Sequence, residues 1–390
     1  MQNFTTDPIL LTKKLISFPS ITPETGESLE FMETLLKEIG FEVVMKKFED
    51  IDSSSKPTWN IYAYTKKSPK TNITFIGHLD VVHSGHHSDW THPPFEPTID
   101  NGILYGRGAC DMKAAIACFC VASANFVKDN HDSGISMLLT YDEEGNAING
   151  TKKMLQFLHN DGFTFSDSIT GEPTCSKQFG DTIKIGRRGS VNFTIEIIGK
   201  QGHAAYPELA TNPNYIACET ILALKHYEFD CGNKNFQATN LEITGIETST
   251  NETNVIPNSI KILCNVRFND EHTSQTIIAK IKEIIASTVQ NCVYKIETRV
   301  SGESFAVKND TLANIMKSAV KKVTGIDAEL STSGGTSDAR FMKDYTNVVE
   351  FGVLNGTAHK IDENVPLEHI TLLAEVYREF LKDFIDAKAI

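Results

Sequence analysis

Apolar residues recur along this chain at two different spacings, and the change from one to the other divides it. Leu29, Met32, Leu35, Leu36 and Ile39 fall on one face of a helix, with Gly40 placed to end it, and Ile9–Ile16 has the same spacing. Short apolar runs predict strands at 42–45, 60–64 and 73–77. A loop rich in Pro, Gly and His then runs from His83 to Arg107. A helix is expected over 112–126, a strand over 135–140, a helix over 150–159 and a brief strand over 168–170. Strands alternating with helices predict an α/β domain, whose functional residues collect beyond the carboxyl ends of its strands.

From about Gly189 the spacing becomes strictly two. Val191, Phe193, Ile195 and Ile197 alternate with polar residues, as do Ile260, Ile262, Cys264, Val266 and Phe268, the period of strands buried on one face. Helices are expected over 213–227 and 274–289, and further strands over 241–246 and 292–300. The order β-α-β-β-α-β is the split unit of a ferredoxin-like α+β layer. The expected organisation is therefore a first domain of residues 1–188, an insertion of residues 189–300, and a return over 301–390. The return carries a helix over 312–323 closed by Gly325, a buried strand over 347–351 and a final helix over 368–384.

Composition narrows the function. The 390 residues are 40% hydrophobic and 22% charged, as in a globular protein. A formal net charge of -13 argues against nucleic acid and acidic membranes as partners, since both are polyanions. Small anions remain acceptable where arginines cluster. No apolar run reads as long enough to span a bilayer, and the start lacks a basic segment followed by a long apolar core, so a cytoplasmic location is expected. The eight cysteines show no CxxC spacing, which disfavours a thiolate zinc site and a disulfide framework.

The candidate chemistry lies in five islands. Gly77-His78-Leu79-Asp80 closes the apolar run 73–82, with His78 and Asp80 on one side of an extended chain. The others are Gly106–Lys113 around Asp111, Tyr141-Asp142-Glu143-Glu144-Gly145, Gly171-Glu172-Pro173-Thr174, and His359–Glu363. His78, Asp111, Glu144, Glu172 and His359 form a ligand set for two borderline divalent ions, with one carboxylate bridging. The three acids need cations to be tolerated close together. Asp80 is placed to orient His78. Glu143, beside Glu144 but pointing elsewhere, is the candidate general base for a hydrolysis.

Arg187, Arg188 and Arg267 suit a small-molecule substrate with several carboxylates. His203, in a glycine-flanked loop, can donate to a developing oxyanion. The segment His83-Ser84-Gly85-His86-His87 reads as a solvated loop.

The islands GHLDVV, GRGACDMKAA, DEEGNAINGT, GEPT, GRRGS, QGHAAYPELATNP, TNVIP, STSGGTSDARF and FGVLNGTAHKIDENV together resemble the zinc-dependent amidohydrolases that include acetylornithine deacetylase, aminoacylases and related carboxypeptidases. The resemblance spans the chain from about Ile9 to the final helix. It implies a zinc-peptidase-like catalytic domain with an inserted lid and dimerisation domain, and a homodimer formed through that insertion. It implies two zinc ions per subunit, with cobalt able to replace either. One ion would be held by His78, Asp111 and Glu172, the other by Asp111, Glu144 and His359. Glu143 would be the acid/base, Asp80 the partner of His78, and the bond Asp111–Met112 cis. Lys184, Tyr206, Asn254, Ser301, Gly335, Thr336 and Asn355 would line the substrate site, while His203 and Asn254 would serve the partner subunit. Glu303 and Ser304 depart from the pattern, standing where a basic residue and Pro are commoner.

Overall fold

A computed structural model of the chain describes residues 3–50, 55–67, 69, 71–128, 134–290, 292–307 and 309–388. The chain forms two compact units. One gathers Met1–Ile185, Val307–Ser331 and Ser337–Ile390, the other Gly186–Ala306 with Thr332–Thr336.

The first unit is built on an eight-stranded mixed sheet, ordered Glu42–Phe48, Thr58–Tyr64, Gly134–Thr140, Asn72–His78, Asp167–Thr170, Asn347–Glu350, Thr182–Lys184 and Glu329–Ser331. Its middle four strands are mutually parallel. Every residue of Asn72–His78 and Gly134–Thr140 is buried, because helices cover both faces. Phe75 joins a large core with Leu11, Leu15, Phe119, Tyr377 and Phe380 on one face. Its neighbour Ile76 points the other way, to Leu138, Met154, Leu155, Leu158 and Met342.

Two expectations need correction here. The helical stretch Ala109–Val127 is long and apolar enough to cross a membrane by length and composition, yet 72% of it is buried inside this unit. Its apolar character comes from being enclosed by the sheet and the helices Pro8–Ile16 and Leu367–Lys388. The loop 83–107 is also less irregular than expected. Strands Thr98–Asp100 and Ile103–Tyr105 form a hairpin around Asn101 and Gly102, both at positive φ, and Asn364–Pro366 adds a third strand. The short strands Thr182–Lys184 and Glu329–Ser331 and the helix Ala339–Met342 are likewise additional to the expected elements.

The second unit is an antiparallel sheet ordered Asn240–Thr248, Ser259–Phe268, Gly189–Ile198 and Val293–Gly302, the ferredoxin-like arrangement that its alternation predicts. Helices Pro213–His226 and Ser274–Thr288 cover one face. Val191, Phe193, Ile195, Ile262, Cys264, Val266 and Phe268 interdigitate there with Ile277, Ile281 and Ile285. Each large side chain so buried contributes about 1.5–3 kcal/mol. The eight cysteines are all unpaired, and five are buried.

Candidate metal centre

Four parallel strands deliver the site to one sheet edge. His78 is the last residue of Asn72–His78, Glu143 and Glu144 follow Gly134–Thr140, Glu172 follows Asp167–Thr170, and the loop after Asn347–Glu350 carries His359. Asp111 enters from the turn before Ala114–Lys128, and its bond to Met112 is cis. Close approach of the chains demands glycine: a Cβ on Gly352 would lie 2.4 Å from the carbonyl oxygen of Glu172.

All five proposed ligands meet. Asp111 Oδ1 lies 3.1 Å from His78 Nε2, and Asp111 Oδ2 lies 3.4 Å from His359 Nε2. One carboxylate thus offers a different oxygen to each histidine. Glu144 Oε1 is 2.9 Å from His359 Nε2, and Glu172 Oε1 is 3.9 Å from His78 Nε2. The His78 side chain is 1% exposed and that of His359 53%, so the cluster has a deep end and an open end. His359 sits at φ 62°, a left-handed conformation costing a non-glycine residue roughly 1–2 kcal/mol. Its loop is held by Asp362, which accepts from Thr91 N at 2.8 Å and Thr91 Oγ1 at 2.9 Å.

Asp80 orients His78, but not by the atoms its sequence position suggests. The main-chain carbonyl of Asp80 accepts from His78 Nδ1 at 2.9 Å, whereas the carboxylate is 3.8 Å away. This leaves Nε2 of His78 as the free ligand nitrogen. Asp80 Oδ2 instead accepts from Glu144 N at 3.1 Å. Asp142 closes the turn around Glu143 and Glu144 by accepting from Ile148 N and Asn149 N, each at 2.8 Å.

The electrostatics fit dications. Burial pushes the Asp80 carboxyl up to about 7 and that of Glu143 up to about 8. It also raises Glu172 well above the carboxylate range, with Asp111 and Glu143 adding repulsion. Against its burial, Asp111 is held below the usual range by hydrogen bonds to His359 and His78. Bonds to Asp111 and Glu144 raise His359 to about 10. Protons satisfy only part of this set: Glu172 Oε1 and Asp80 Oδ1 are buried without a hydrogen-bond partner. The described residues hold two groups able to take a metal ion, one of His78, Asp111 and Glu144 and another of His78, Glu143 and Glu172. Neither includes His83, His86 or His87, which are exposed.

Lys184 and Asn355 also belong to the first unit. Lys184 Nζ lies 3.4 Å from Ser331 Oγ, and Asn355 N donates to Cys175 O at 3.0 Å. The remaining expected residues belong to the second unit, where they form three sets. Arg188 donates to Asn240 Oδ1 at 2.8 Å and lies near Arg267. From Arg267 a polar ladder crosses the open sheet face through Asn265 and Asn192 to Ser301. Arg187 Nη1 donates to Gly335 O at 3.1 Å, beside Thr336. His203 pairs with Val255 across a short two-stranded sheet, Ala204 N donates to Asn254 O, and Tyr206, 58% exposed, lies tilted against the His203 ring. Ala205 N donates to His203 Nδ1 at 3.0 Å, so the imidazole proton resides on the outward Nε2. Glu303, one of the departures, accepts from Ser274 N at 2.9 Å at the start of a helix.

One residue that matters was not singled out. Glu363 is buried behind Asp111 and accepts four hydrogen bonds from residues 107–111. Its sequence signal is membership of the His359–Glu363 island.

A fold of this kind with such a cluster defines a metal-dependent hydrolase, and the chain belongs to peptidase family M20/M25/M40, whose model matches residues 74–383. Among its relatives, the succinyl-diaminopimelate desuccinylase of Rickettsia felis is 44% identical over 96% of this chain and 98% of its own length. Solved structures agree on the fold. The metallo-carboxypeptidase Sso-CP2 of Sulfolobus solfataricus superimposes with a TM-score of 0.79 at 17% identity, covering 97% of this chain and 99% of its own. A dinuclear metal-binding M20 peptidase of Bacillus subtilis gives a TM-score of 0.73 at 16% identity over 100% of both chains.

Proposed function

We propose that this chain is a dinuclear zinc amidase that hydrolyses N-succinyl-LL-2,6-diaminopimelate to succinate and LL-2,6-diaminopimelate, in the route to lysine and cell-wall precursors. The substrate rests on the full-length similarity to desuccinylases such as that of Pelagibacter ubique, 42% identical over 97% of this chain. The observation that carries the chemistry is Asp111, with one oxygen facing each histidine. His78, Asp111 and Glu172 would hold one zinc and Asp111, Glu144 and His359 the other, with cobalt an acceptable substitute. When bound, the ions would polarise the amide carbonyl and lower the pKa of the attacking water from about 16 toward 7.

Glu143 removes the water's proton and returns it to the departing amine. Burial favours that role by raising its carboxyl above the usual carboxylate range, toward the pH at which it must exchange a proton. The His203 Nε2–H stabilises the oxyanion as it develops. Arg187, Arg188 and Arg267 recognise the succinyl and diaminopimelate carboxylates, with Lys184, Tyr206, Asn254, Ser301, Gly335, Thr336 and Asn355 completing the contacts. The insertion serves as lid and dimerisation module, so that a homodimer in the cytoplasm is the working form.

The test is succinate release measured with and without chelator, together with metal analysis and rates on N-acetylornithine and other N-acyl amino acids. Chelation should abolish release and zinc should restore it. A higher kcat/KM on N-acetylornithine than on the succinyl compound would overturn the substrate assignment in favour of a deacetylase.

A further inference from the structure

We infer that Glu363 is a positioning residue that ties the two halves of the metal centre together, fixing the backbone that presents Asp111 to the loop that presents His359. The inference rests on the dinuclear reading above. The Glu363 side chain is 1% exposed. Its Oε2 accepts from Arg107 Nη1 at 2.6 Å and Gly108 N at 3.0 Å, and its Oε1 from Cys110 N at 2.9 Å and Asp111 N at 3.0 Å. Both oxygens are therefore committed to one five-residue segment, which ends at Asp111. The main-chain oxygen of Glu363 accepts from Gly106 N at 2.9 Å, and the adjoining Asn364–Pro366 pairs with Ile103–Tyr105.

The segment itself explains why a carboxylate stands there. Gly108, at φ 85°, turns the chain so that three amides converge on one carboxylate, a concavity that suits an anion. Arg107 adds a fourth donor, its guanidinium held 5.1 Å over the Trp90 ring. An amide in place of Glu363 would set an NH2 group against at least one of these donors. Arg107 also neutralises Glu363, leaving the charge of Asp111, Glu144 and Glu172 for the ions. His359 lies four residues before Glu363 on the same loop, so a shift of the clamp moves Asp111 and His359 together. Loss of Glu363 should then weaken both ions at once, because Asp111 serves each.

The test uses the full chain stripped with chelator and titrated with cobalt alone, read by visible absorption and by metal content. Wild type should take two ions per chain, and fewer than two would count against the dinuclear reading itself. Given two in wild type, E363Q should bind both more weakly, by roughly 10- to 100-fold, as for other residues that orient ligands. Its cobalt absorption should also differ. Binding of both ions with unchanged affinity and spectrum would overturn the inference. Should E363Q fail to fold, hydrogen–deuterium exchange of wild type decides. The peptide covering 107–112 should stay protected in chelator, because Glu363 rather than metal holds its amides. Free exchange there on metal removal would overturn the inference as well.

Discussion

In the second unit the strand Ser259–Phe268 alternates buried and open residues along its length, whereas in the first unit all of Asn72–His78 is buried. The alternating sheet spends one face on a core and leaves the other as a continuous polar ladder from Arg267 to Ser301. The enclosed central strands have no free face, and the candidate metal-binding residues gather where those strands end. Regularity carries stability in one unit, while irregular loops at strand ends carry reactivity in the other. That division of labour can be attacked from either side.

The largest expected effect is on Glu143. The variant E143A should lower kcat by roughly 10²- to 10⁴-fold while both metals remain bound. Turnover close to wild type would show that Glu143 is not the base, and loss of metal would show that it is a ligand. The group of His78, Glu143 and Glu172 makes that a real alternative. A core variant in the other unit should do the converse. Phe193 is buried against Ile277 and Ile281, and F193A should cost about 3–5 kcal/mol in urea unfolding of that unit. Metal content should be unchanged. If F193A also released metal, the two units would not be separable in this sense.

The same division decides what the sequence reveals. Period-two alternation gave the two central strands of the second unit's sheet nearly whole, because one-sided burial writes itself into every second position. Strands buried on both faces gave short apolar runs with uncertain ends, and helix Ala109–Val127 reads apolar all round for the same reason. The five proposed ligands were legible as island residues, yet their supports were not. Asp80 works through its carbonyl, and a backbone contact has no sequence signature. Glu363 depends on the left-handed turn at Gly108, some 255 residues away in sequence. Thr332–Thr336 groups with the second unit although nothing periodic marks it. The hairpin at Asn101-Gly102 could have been found, since that dipeptide favours the type I′ turn.

A third effect, of middle size, concerns pH. Asp230 accepts from Thr239 N at 3.2 Å, Gly232 N at 2.7 Å and Asn269 Nδ2 at 2.7 Å, and bonds from these three residues hold its carboxyl below the usual range against the cost of burial. A carboxyl lowered on folding stabilises the fold above its unfolded value, about 4, and loses that contribution as pH falls through its folded value. D230N should therefore weaken the second unit at pH 7 by about 1–3 kcal/mol, and the gap from wild type should shrink on acidification. Hydrogen exchange of peptides from 227–240 reads this without interference from the metal centre. A gap that grows toward acid pH would reverse the sign and refute the account.

The smallest effect tests how far local regularity alone sustains the second unit. Thr273 and Thr276 cap helix Ser274–Thr288 reciprocally: Thr273 Oγ1 accepts from Thr276 N at 3.2 Å, and Thr276 Oγ1 from Thr273 N at 3.0 Å. Removing such a cap costs about 0.5–2 kcal/mol. Here Glu303 independently holds Ser274 N, so one donor of the first turn stays satisfied in T273A. The loss should fall near 0.5 kcal/mol alone, and exceed the sum of the single losses when combined with E303A, because each cap partly covers for the other. Strict additivity in urea unfolding would mean that the two contacts act independently and do not cover for one another, while packing of Ile277, Ile281 and Ile285 holds the rest of the helix.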